Sequence, residues 1–259
     1  MGVKQPVVQD KLRMAKLLKK NSLTKASHPK TVSYNRENLQ EMTKKFSMLY
    51  LKPINGCQSK NIIRITSNPQ SGFTAITGKR KQILPTEEEL YQQLNHWIKQ
   101  KKYIIQQGIH SITPSGDPFD IRAHVLKVAK KWIVCGVAGR IAPPEGIVTS
   151  YRHGGTSTRL NHLFETLKYD QKSDQKVRKK IKKLVLTIAK VVNDRYPAKK
   201  EFAIDLGLDQ DKNIWIYEVN YMKPAINTFR KADPKIYRRI LKLRKRAIKY
   251  NTKTKAKSA

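Results

Sequence analysis

The sequence predicts an α+β fold with two lobes. Strand-like runs rich in β-branched and aromatic residues are interspersed with amphipathic segments of helical spacing. Pairs of these runs stand on either side of short polar turns, which predicts antiparallel hairpins. We find no internal repeat, and the boundary between the lobes is predicted near Gln100–Tyr103.

Composition limits the class of protein. With 259 residues, 39% of them hydrophobic and 28% charged, the chain is long enough to bury a substantial core. Its longest uncharged apolar run, Trp132–Gly139, is too short to cross a bilayer, and Met1–Asp10 lacks the apolar centre of a signal peptide. We therefore expect a cytoplasmic protein without a membrane span. Cys57 and Cys135 fit no metal or disulfide pattern and are predicted to be reduced packing residues.

The net charge is unusually high. The chain has 54 Lys and Arg against 19 Asp and Glu, a formal charge of +35. Such a field favours polyanionic partners, which include nucleic acid, an acidic polymer, an acidic protein or an anionic surface. The alternative is a lysine-biased proteome and a solvated surface, and composition leaves both readings open.

In the first half of the chain, helices and strands follow from periodicity and end signals. Residues 10–28 have an amphipathic helical pattern, Asn35–Phe46 is a predicted helix with Asn35 or Asn38 as its cap, and Pro85–Thr86 opens a helix that ends at Ile98. The predicted strands are Met48–Leu51, Ile62–Ile65, Phe73–Ile76 and Tyr103–Ile109.

In the second half, a hairpin is predicted from Phe119–Val128 and Trp132–Ala138, and Arg152–Thr158 is predicted to be a loop. Gln175–Asn193 has an apolar stripe and a lysine-rich outer side, typical of an amphipathic helix. A last helix begins at Asp233-Pro234, because proline suits the first helical position. No acidic residue follows Asp233, and the last ten residues are predicted to be disordered.

A pair of strand-like runs near the end carries the clearest chemical pattern. One apolar run ends at Asp205, a polar turn centred near Asp211 follows, and the second run leads to Glu218 and Asn220. Since side chains alternate along a strand, Glu218 and Asn220 share a face, and the hairpin would bring Asp205 opposite Glu218. Two carboxylates and an amide oxygen suit Mg²⁺. The alternative is a polar hairpin with its charges in water, and spacing alone does not decide between them.

A series of motifs follows the order of a known family. They are Asp10-Lys11-Leu12, Pro29-Lys30-Thr31, Leu49-Tyr50-Leu51-Lys52-Pro53, the loop Asn55–Asn61, Tyr103–Ile109, Asp120-Ile121-Arg122, Gly139-Arg140 with Gly154-Gly155, and Asp205 with Glu218-Val219-Asn220. Together they resemble the ATP-grasp superfamily, and most closely the YheC/YheD endospore-coat-associated proteins. The resemblance implies an ATP-grasp fold in which two lobes hold a nucleotide between antiparallel sheets.

The resemblance also implies roles for individual residues. Those implied at the nucleotide are Lys11, Lys52, Gly56, Gln58 and Ser59 for the phosphates and Gln106, Gln107 and Gly108 for the adenine. Those implied for magnesium are Asp205, Glu218 and Asn220. Arg140 would hold the reacting phosphoryl group, and Arg122 is a second catalytic candidate. The alternative for Arg122 is a buried partner of Asp120, and Lys11 read alone is an ordinary exposed helix residue.

The implied reaction is an ATP- and Mg²⁺-dependent ligation. A substrate carboxylate attacks the γ-phosphate, and an amine then displaces phosphate from the acyl phosphate. The carboxylate and amine are not specified by the sequence. The implied partners are the nucleotide, those two substrates and, through the basic surface, an acidic polymer or a spore-coat protein. The location implied is the cytoplasm or the spore coat.

The chain departs from the family pattern at Ser150 and Arg152-His153, which concern the acceptor, and in two places of larger consequence. Ser59 and Asn61 stand where the family has further glycines in the phosphate-covering loop, so loop closure over ATP could be impaired. Little sequence precedes Asp10, so the N-terminal domain that usually helps to shape the substrate site is expected to be missing. The predicted segments are a tail 1–9, an N-terminal lobe 10–102, a C-terminal lobe with the metal site 103–233, and a basic helix and tail 234–259.

Three functions remain open at this point. The first is an ATP-dependent carboxylate–amine ligase, supported by the intact acidic set. The second is a catalytically weak nucleotide-binding scaffold in the spore coat, supported by Ser59 and Asn61. The third is a nucleic-acid-binding protein, supported only by the basic run Lys235–Lys257.

Overall fold

The computed structural model describes residues 10–56, 59–222 and 224–256, and side chains as far as residue 250. Its elements up to the middle of the chain are α1 (Lys11–Leu18), α2 (Ser22–Ala26), β1 (Thr31–Ser33), α3 (Arg36–Lys45), β2 (Met48–Pro53), β3 (Ile63–Asn68), β4 (Gly72–Thr77), β5 (Arg80–Leu84), α4 (Glu87–Ile98) and β6 (Tyr103–Gln107). Those that follow are β7 (Phe119–Val128), β8 (Lys131–Ile141), a 3₁₀ turn (Tyr151–His153), β9 (Thr156–Arg159), α5 (Leu160–Thr166), α6 (Gln171–Arg195), β10 (Glu201–Leu208), β11 (Ile214–Asn220), α7 (Asn227–Ala232) and α8 (Pro234–Ala256).

Contacts divide the chain into two units. Unit 1 holds the chain up to Lys16 together with Pro29–Ile109, and unit 2 holds Leu17–His28 and everything from His110 onward. The four segments expected from sequence, including the tail 1–9 that lies outside the described residues, stay a prediction. Within the part of the chain that the structure describes, no helix is both long and apolar enough to cross a membrane.

Unit 1 is built on a six-stranded antiparallel sheet of order β1-β6-β2-β3-β4-β5. One face packs against α3 and α4, where Leu49, Leu51 and Ile105 meet Leu39 and Leu94. Because side chains alternate along a strand, the intervening positions of β2 and β6 lie on the other face. That second face carries the polar residues described below.

Helix ends in unit 1 follow local capping chemistry. The Oδ1 of Asn35 accepts a hydrogen bond from the backbone N–H of Asn38 at 2.8 Å, which confirms the predicted start of α3. Thr86 and Glu89 form a reciprocal capping box at the start of α4. Both helices therefore begin where the sequence predicts.

Unit 2 is built on a five-stranded antiparallel sheet of order β11-β10-β7-β8-β9. Strand β7 directs Asp120, Arg122 and His124 onto one face and Ile121 and Ala123 onto the other. We call the first of these the polar face of unit 2. The candidate site of unit 2 lies on this face.

Helices cover both sides of this sheet. Lys127, on the side opposite the polar face, donates to Asn193 of α6 at 2.9 Å. On the polar face itself, Gly136 leaves room for Phe229 and Ile236, which belong to α7 and α8. A Cβ at Gly136 would lie 2.4 Å from Ile236, so the close approach of α8 depends on glycine.

Several sequence expectations need correction. The single helical pattern at 10–28 is two helices, because the side chain of Asn21 caps α2 by accepting from Leu23 and Thr24. Strand β5 was not predicted, because Arg80 and Lys81 give it no apolar alternation. The predicted loop 152–158 contains the start of β9, which pairs with β8 at the sheet edge. The last helix reaches Ala256, well into the segment expected to be disordered.

Candidate functional site

The predicted hairpin that carries Asp205 and Glu218 is confirmed. Strands β10 and β11 pair antiparallel, with Asp205 directly opposite Glu218 and Ala203 opposite Asn220. Asp209 organises the turn by accepting from the backbone N–H of Asn213 at 2.8 Å. Glu218 and Asn220 therefore lie on the same sheet face as Asp205, with opposed Cβ atoms about 5 Å apart as in any such pair.

Two arginines surround Asp205 on the polar face. Arg122 lies opposite Asp205 on β7, with its Nε 2.6 Å from Oδ1 and its Nη2 donating to Oδ2 at 3.1 Å. The Nη2 of Arg140 lies 3.1 Å from the same Oδ1. Oδ1 is nevertheless buried without a hydrogen bond of regular geometry, so its contacts with the arginines are mainly ionic.

Arg140 is held by a second carboxylate. Its Nε and Nη2 donate to the two oxygens of Asp120 at 2.6 Å each, a bidentate arrangement that fixes the guanidinium plane. Thr149 also donates to Asp120 at 2.6 Å. Asp120 is thus the partner of Arg140, whereas the alternative reading of Arg122 as the partner of Asp120 does not fit the geometry. Arg122 pairs with Asp205.

The two guanidinium groups differ electrostatically. Burial lowers the pKa of Arg122, the charge of Arg140 lowers it further, and Asp205 only partly offsets these effects. Burial also opposes the charged form of Arg140, but Asp120 and Asp205 outweigh it and raise the pKa of Arg140. Both stay protonated at neutral pH. The surroundings therefore stabilise the charged form of Arg140 more than that of Arg122.

The donor set on this face fits a hard divalent cation. Asp205 and Glu218 supply carboxylate oxygens and Asn220 supplies an amide oxygen on the same face, and these are the ligand types that hard divalent cations prefer. Among the described residues, no group of three His, Cys, Asp or Glu side chains forms a metal site. The candidate set consequently depends on Asn220 for its third ligand, and a cation would share Asp205 with Arg122.

In unit 1, the polar face of the sheet holds a lysine–glutamine pair. Lys52 on β2 donates to the Oε1 of Gln106 on β6 at 2.6 Å. The Nε2 of Gln106 in turn donates to Thr31 on β1 at 3.1 Å. Gln106 is only 4% exposed, so both ends of its amide are satisfied in a buried setting. This chain of contacts positions the ammonium group of Lys52.

The other adenine-side candidates lie differently. Gln107 points to the opposite face of β6 from Gln106, and its Oε1 accepts from the backbone N–H of Lys30 at 3.2 Å. Gly108 donates from its backbone N–H to the carbonyl of Met48 at 2.7 Å, and a Cβ there would lie 2.5 Å from the Met48 side chain. A glycine is therefore needed at 108 for packing.

The remaining phosphate candidates surround the loop after β2. The Nζ of Lys11 donates to the carbonyl of Gly56 at 2.5 Å, which ties α1 to the loop. Ser59 has φ +55° and Asn61 has φ +56°, both in the left-handed region that favours glycine. Gln58 lies outside the described residues.

Sequence reasoning missed three residues that shape the polar face of unit 2, which are His124, Thr149 and Glu201. It named Thr31 and Asp120 within motifs but assigned neither a role of its own at the site. One signal was available: polar residues at every second position of β7 indicate a polar sheet face inside a protein. Thr149 gave no such signal, because it belongs to a segment without strand or helix structure.

Comparison with known proteins identifies the family. A family model described as YheC/D-like ATP-grasp matches residues 3–253. The chain belongs to this family. It is 26% identical over 224 residues to the endospore coat-associated protein YheD of Bacillus subtilis (strain 168), covering 82% of this chain and 47% of YheD. It is 22% identical over 231 residues to YheC of the same organism, covering 87% of this chain and 62% of YheC.

Solved structures support the same fold. The D-alanine–D-alanine ligase from Bacillus anthracis matches with a TM-score of 0.57 and 13% identity, covering 98% of this chain and 70% of the ligase. At that identity the likeness shows the ATP-grasp fold alone. The α+β architecture with two antiparallel sheets, predicted from sequence, is confirmed. The chain spans about half of YheD and under two thirds of YheC.

Proposed function

We propose that this ATP-grasp protein is an ATP- and Mg²⁺-dependent carboxylate–amine ligase that works through an acyl phosphate. The observation that carries the proposal is the polar face of unit 2. Asp205 lies opposite Glu218, Asn220 follows on the same face, and Arg122 lies opposite Asp205 on the neighbouring strand. Carboxylates and guanidinium groups so close together suit a polyphosphate with its cation.

We assign roles within each unit separately. In unit 1, Lys52 and Lys11 would bind phosphate oxygens, with Gln106 holding Lys52 in place. In unit 2, Asp205, Glu218 and Asn220 would hold Mg²⁺, which would supply positive charge to offset the negative charge that develops on the phosphates. The register that places Asp205 opposite Glu218, with Asn220 on the same face, supports this assignment.

The chemistry requires two displacements. A substrate carboxylate oxygen attacks the γ-phosphorus, the bond to the β–γ bridging oxygen breaks, and ADP leaves. An amine then attacks the acyl carbon, inorganic phosphate leaves with the C–O bonding electrons, and the nitrogen loses a proton to give an amide. Arg140, oriented by Asp120, would stabilise negative charge on the transferred group. Arg122, which lies beside Asp205, would stabilise the same negative charge.

A second candidate is a nucleotide-binding scaffold with little turnover. The left-handed φ angles of Ser59 and Asn61 favour it, since non-glycine residues there strain the loop. The two ion pairs of Asp205 also favour the scaffold. A cation would have to displace the two arginines from that carboxylate or share it with them. Under either candidate, the family relationship leads us to propose association with the endospore coat.

The deciding experiment is calorimetric titration of Mg·ATP into the wild type and Glu218→Ala. Micromolar binding in the wild type that is lost in the variant would support the nucleotide and metal assignment. Phosphate release assayed with pairs of amino acids or acidic peptides then separates the candidates. A ligase releases phosphate only when both a carboxylate and an amine are present. A scaffold binds Mg·ATP without acceptor-dependent release.

A further inference from the structure

The outer side of α8 is uniformly basic. We call the following exposed residues the basic face of α8: Lys235, Arg238, Arg239, Lys242, Lys245, Arg246 and Lys249. Their spacing of three and four residues places them along one side of the helix, over about 21 Å at 1.5 Å per residue. No acidic residue follows Asp233 in the sequence, so the helix itself cannot neutralise them. Like charges at this spacing repel one another.

The orientation of this face is fixed by the opposite side of the helix. Ile240, Leu243 and Ala247 are buried in the core beneath α8. Arg244 turns inward, where its Nε donates to Glu201 at 2.7 Å, and Glu201 also contacts the buried His124 at 2.6 Å. These contacts fix α8 against the sheet, and its basic face is therefore exposed to solvent.

Apolar side chains stand beside the basic face. Leu241 is 36% exposed and Ile248 is 68% exposed, although most aliphatic residues of this unit are buried. They are seven residues apart and so lie in one stripe, with Lys245 between them. A purely ionic contact would leave this stripe in water, whereas a partner with an apolar layer would remove it from water, which is favourable.

Helix α6 provides an internal comparison. It also exposes a row of lysines, among them Lys179 and Lys183, but it carries Asp174 and Asp194. No large apolar residue of this fully described helix is among the strongly exposed ones. It lies on the opposite side of the sheet from α8. Basic charge is thus common to both helices, whereas the combination with exposed Leu241 and Ile248 belongs to α8.

We propose that α8 is a docking surface for an anionic lipid bilayer. Lysine and arginine would bind lipid headgroups, while Leu241 and Ile248 enter the boundary between headgroups and acyl chains. The helix would lie on the membrane rather than cross it, since its inner side is packed against the sheet. A soluble polyanion would use the charges but would have no use for the apolar stripe.

The test is co-sedimentation of the full chain with vesicles of phosphatidylcholine mixed with phosphatidylglycerol, roughly two to one. The wild type is expected to bind these vesicles, to bind pure phosphatidylcholine at least about tenfold more weakly, and to lose binding in high salt. Lys242→Gln with Arg246→Gln should weaken binding about fivefold for each charge removed. Leu241→Ser with Ile248→Ser should weaken it about tenfold at unchanged charge.

Matched controls come from the same chain. Ile83→Ser removes an apolar residue that is 61% exposed in unit 1, and Lys179→Gln with Lys183→Gln removes two charges from α6. By the proposal, both control variants should bind vesicles within about twofold of the wild type, because neither changes α8. Equal binding to neutral vesicles would overturn the proposal. Undiminished binding of the Leu241/Ile248 variant would also overturn it, and salt-sensitive binding of duplex DNA by that variant would then assign the face to nucleic acid.

Discussion

Asp205 and Arg122 occupy directly opposed positions on β10 and β7, with the Nε of Arg122 2.6 Å from the Oδ1 of Asp205. In the proposed ligase this ion pair links stability to metal binding. The carboxylate balances two buried guanidinium groups, and in the proposed site it would also supply an oxygen ligand to the cation. Changes at Asp205 must therefore alter both properties, whereas changes at Glu218 should alter mainly one.

Asp205→Asn is expected to lower the free energy of unfolding by about 3 kcal/mol, because Arg122 loses its paired charge in a buried setting. Glu218→Gln, at a half-buried position, should change it by less than about 1 kcal/mol. Both variants should lose Mg²⁺-dependent ATP binding. Urea unfolding and calorimetry measure the two effects separately. Retention of metal-dependent binding by Glu218→Gln would remove Glu218 from the ligand set.

Lys52→Met is expected to weaken ATP binding by at least about tenfold, because a phosphate-binding charge is removed. It should also lower stability by about 1 kcal/mol, since the Oε1 of Gln106 loses a donor. Lys45→Met in the same unit is the matched control, because the Lys45 side chain is 56% exposed and pairs only at the surface with Glu41. If the two variants bind ATP equally well, Lys52 has no role at the phosphates.

Ser59→Gly is expected to stabilise the chain by about 0.5 kcal/mol. The left-handed backbone at Ser59 costs a non-glycine residue about 1 kcal/mol, and the added flexibility of the unfolded glycine offsets part of the gain. Asn61→Gly should have a smaller effect, because asparagine tolerates this region better. Ser59→Val should lower the free energy of unfolding by more than about 1 kcal/mol, because a β-branched side chain fits the left-handed region poorly. Thermal unfolding of the three variants tests the order, and a reversed order would contradict it.

The contacts of Glu201 lead us to expect that the protein loses stability at acidic pH. Burial works against its ionised form, but hydrogen bonds from His124 and Arg244 outweigh burial and lower the pKa of Glu201 below 4.5. A lowered folded-state pKa contributes stability above the unfolded value, and this stability is lost as pH falls through the folded value. Glu201→Gln should therefore reduce the free energy of unfolding by about 2 kcal/mol at pH 7.

The difference between wild type and Glu201→Gln should shrink as pH falls below about 4.5, because the wild-type carboxylate then becomes protonated. Denaturant unfolding across that range measures the difference directly. A constant difference at every pH would mean that Glu201 stabilises by packing rather than by charge. The α6 variant Asp194→Asn is a suitable control, since Asp194 is an exposed acid in the same unit.

Much of the fold could be predicted because it depends on local patterns. The register of Asp205 with Glu218 followed from strand alternation and a short polar turn, and the start of α3 followed from Asn35. Edge strands β5 and β9 were missed for a physical reason. They are polar and gain their structure from pairing with a neighbouring strand, which leaves little trace in their own sequence.

By itself, the sequence determined the α+β class, the order of most elements, the family, and which residue types could bind phosphate or metal. Only the tertiary structure decided the pairing among them: Arg122 with Asp205, Arg140 with Asp120, and Lys52 with Gln106. Ion pairs and hydrogen bonds depend on distances of a few ångströms between strands that are far apart in the chain. Periodicity determines which face a side chain takes, whereas its partner depends on strand order and register.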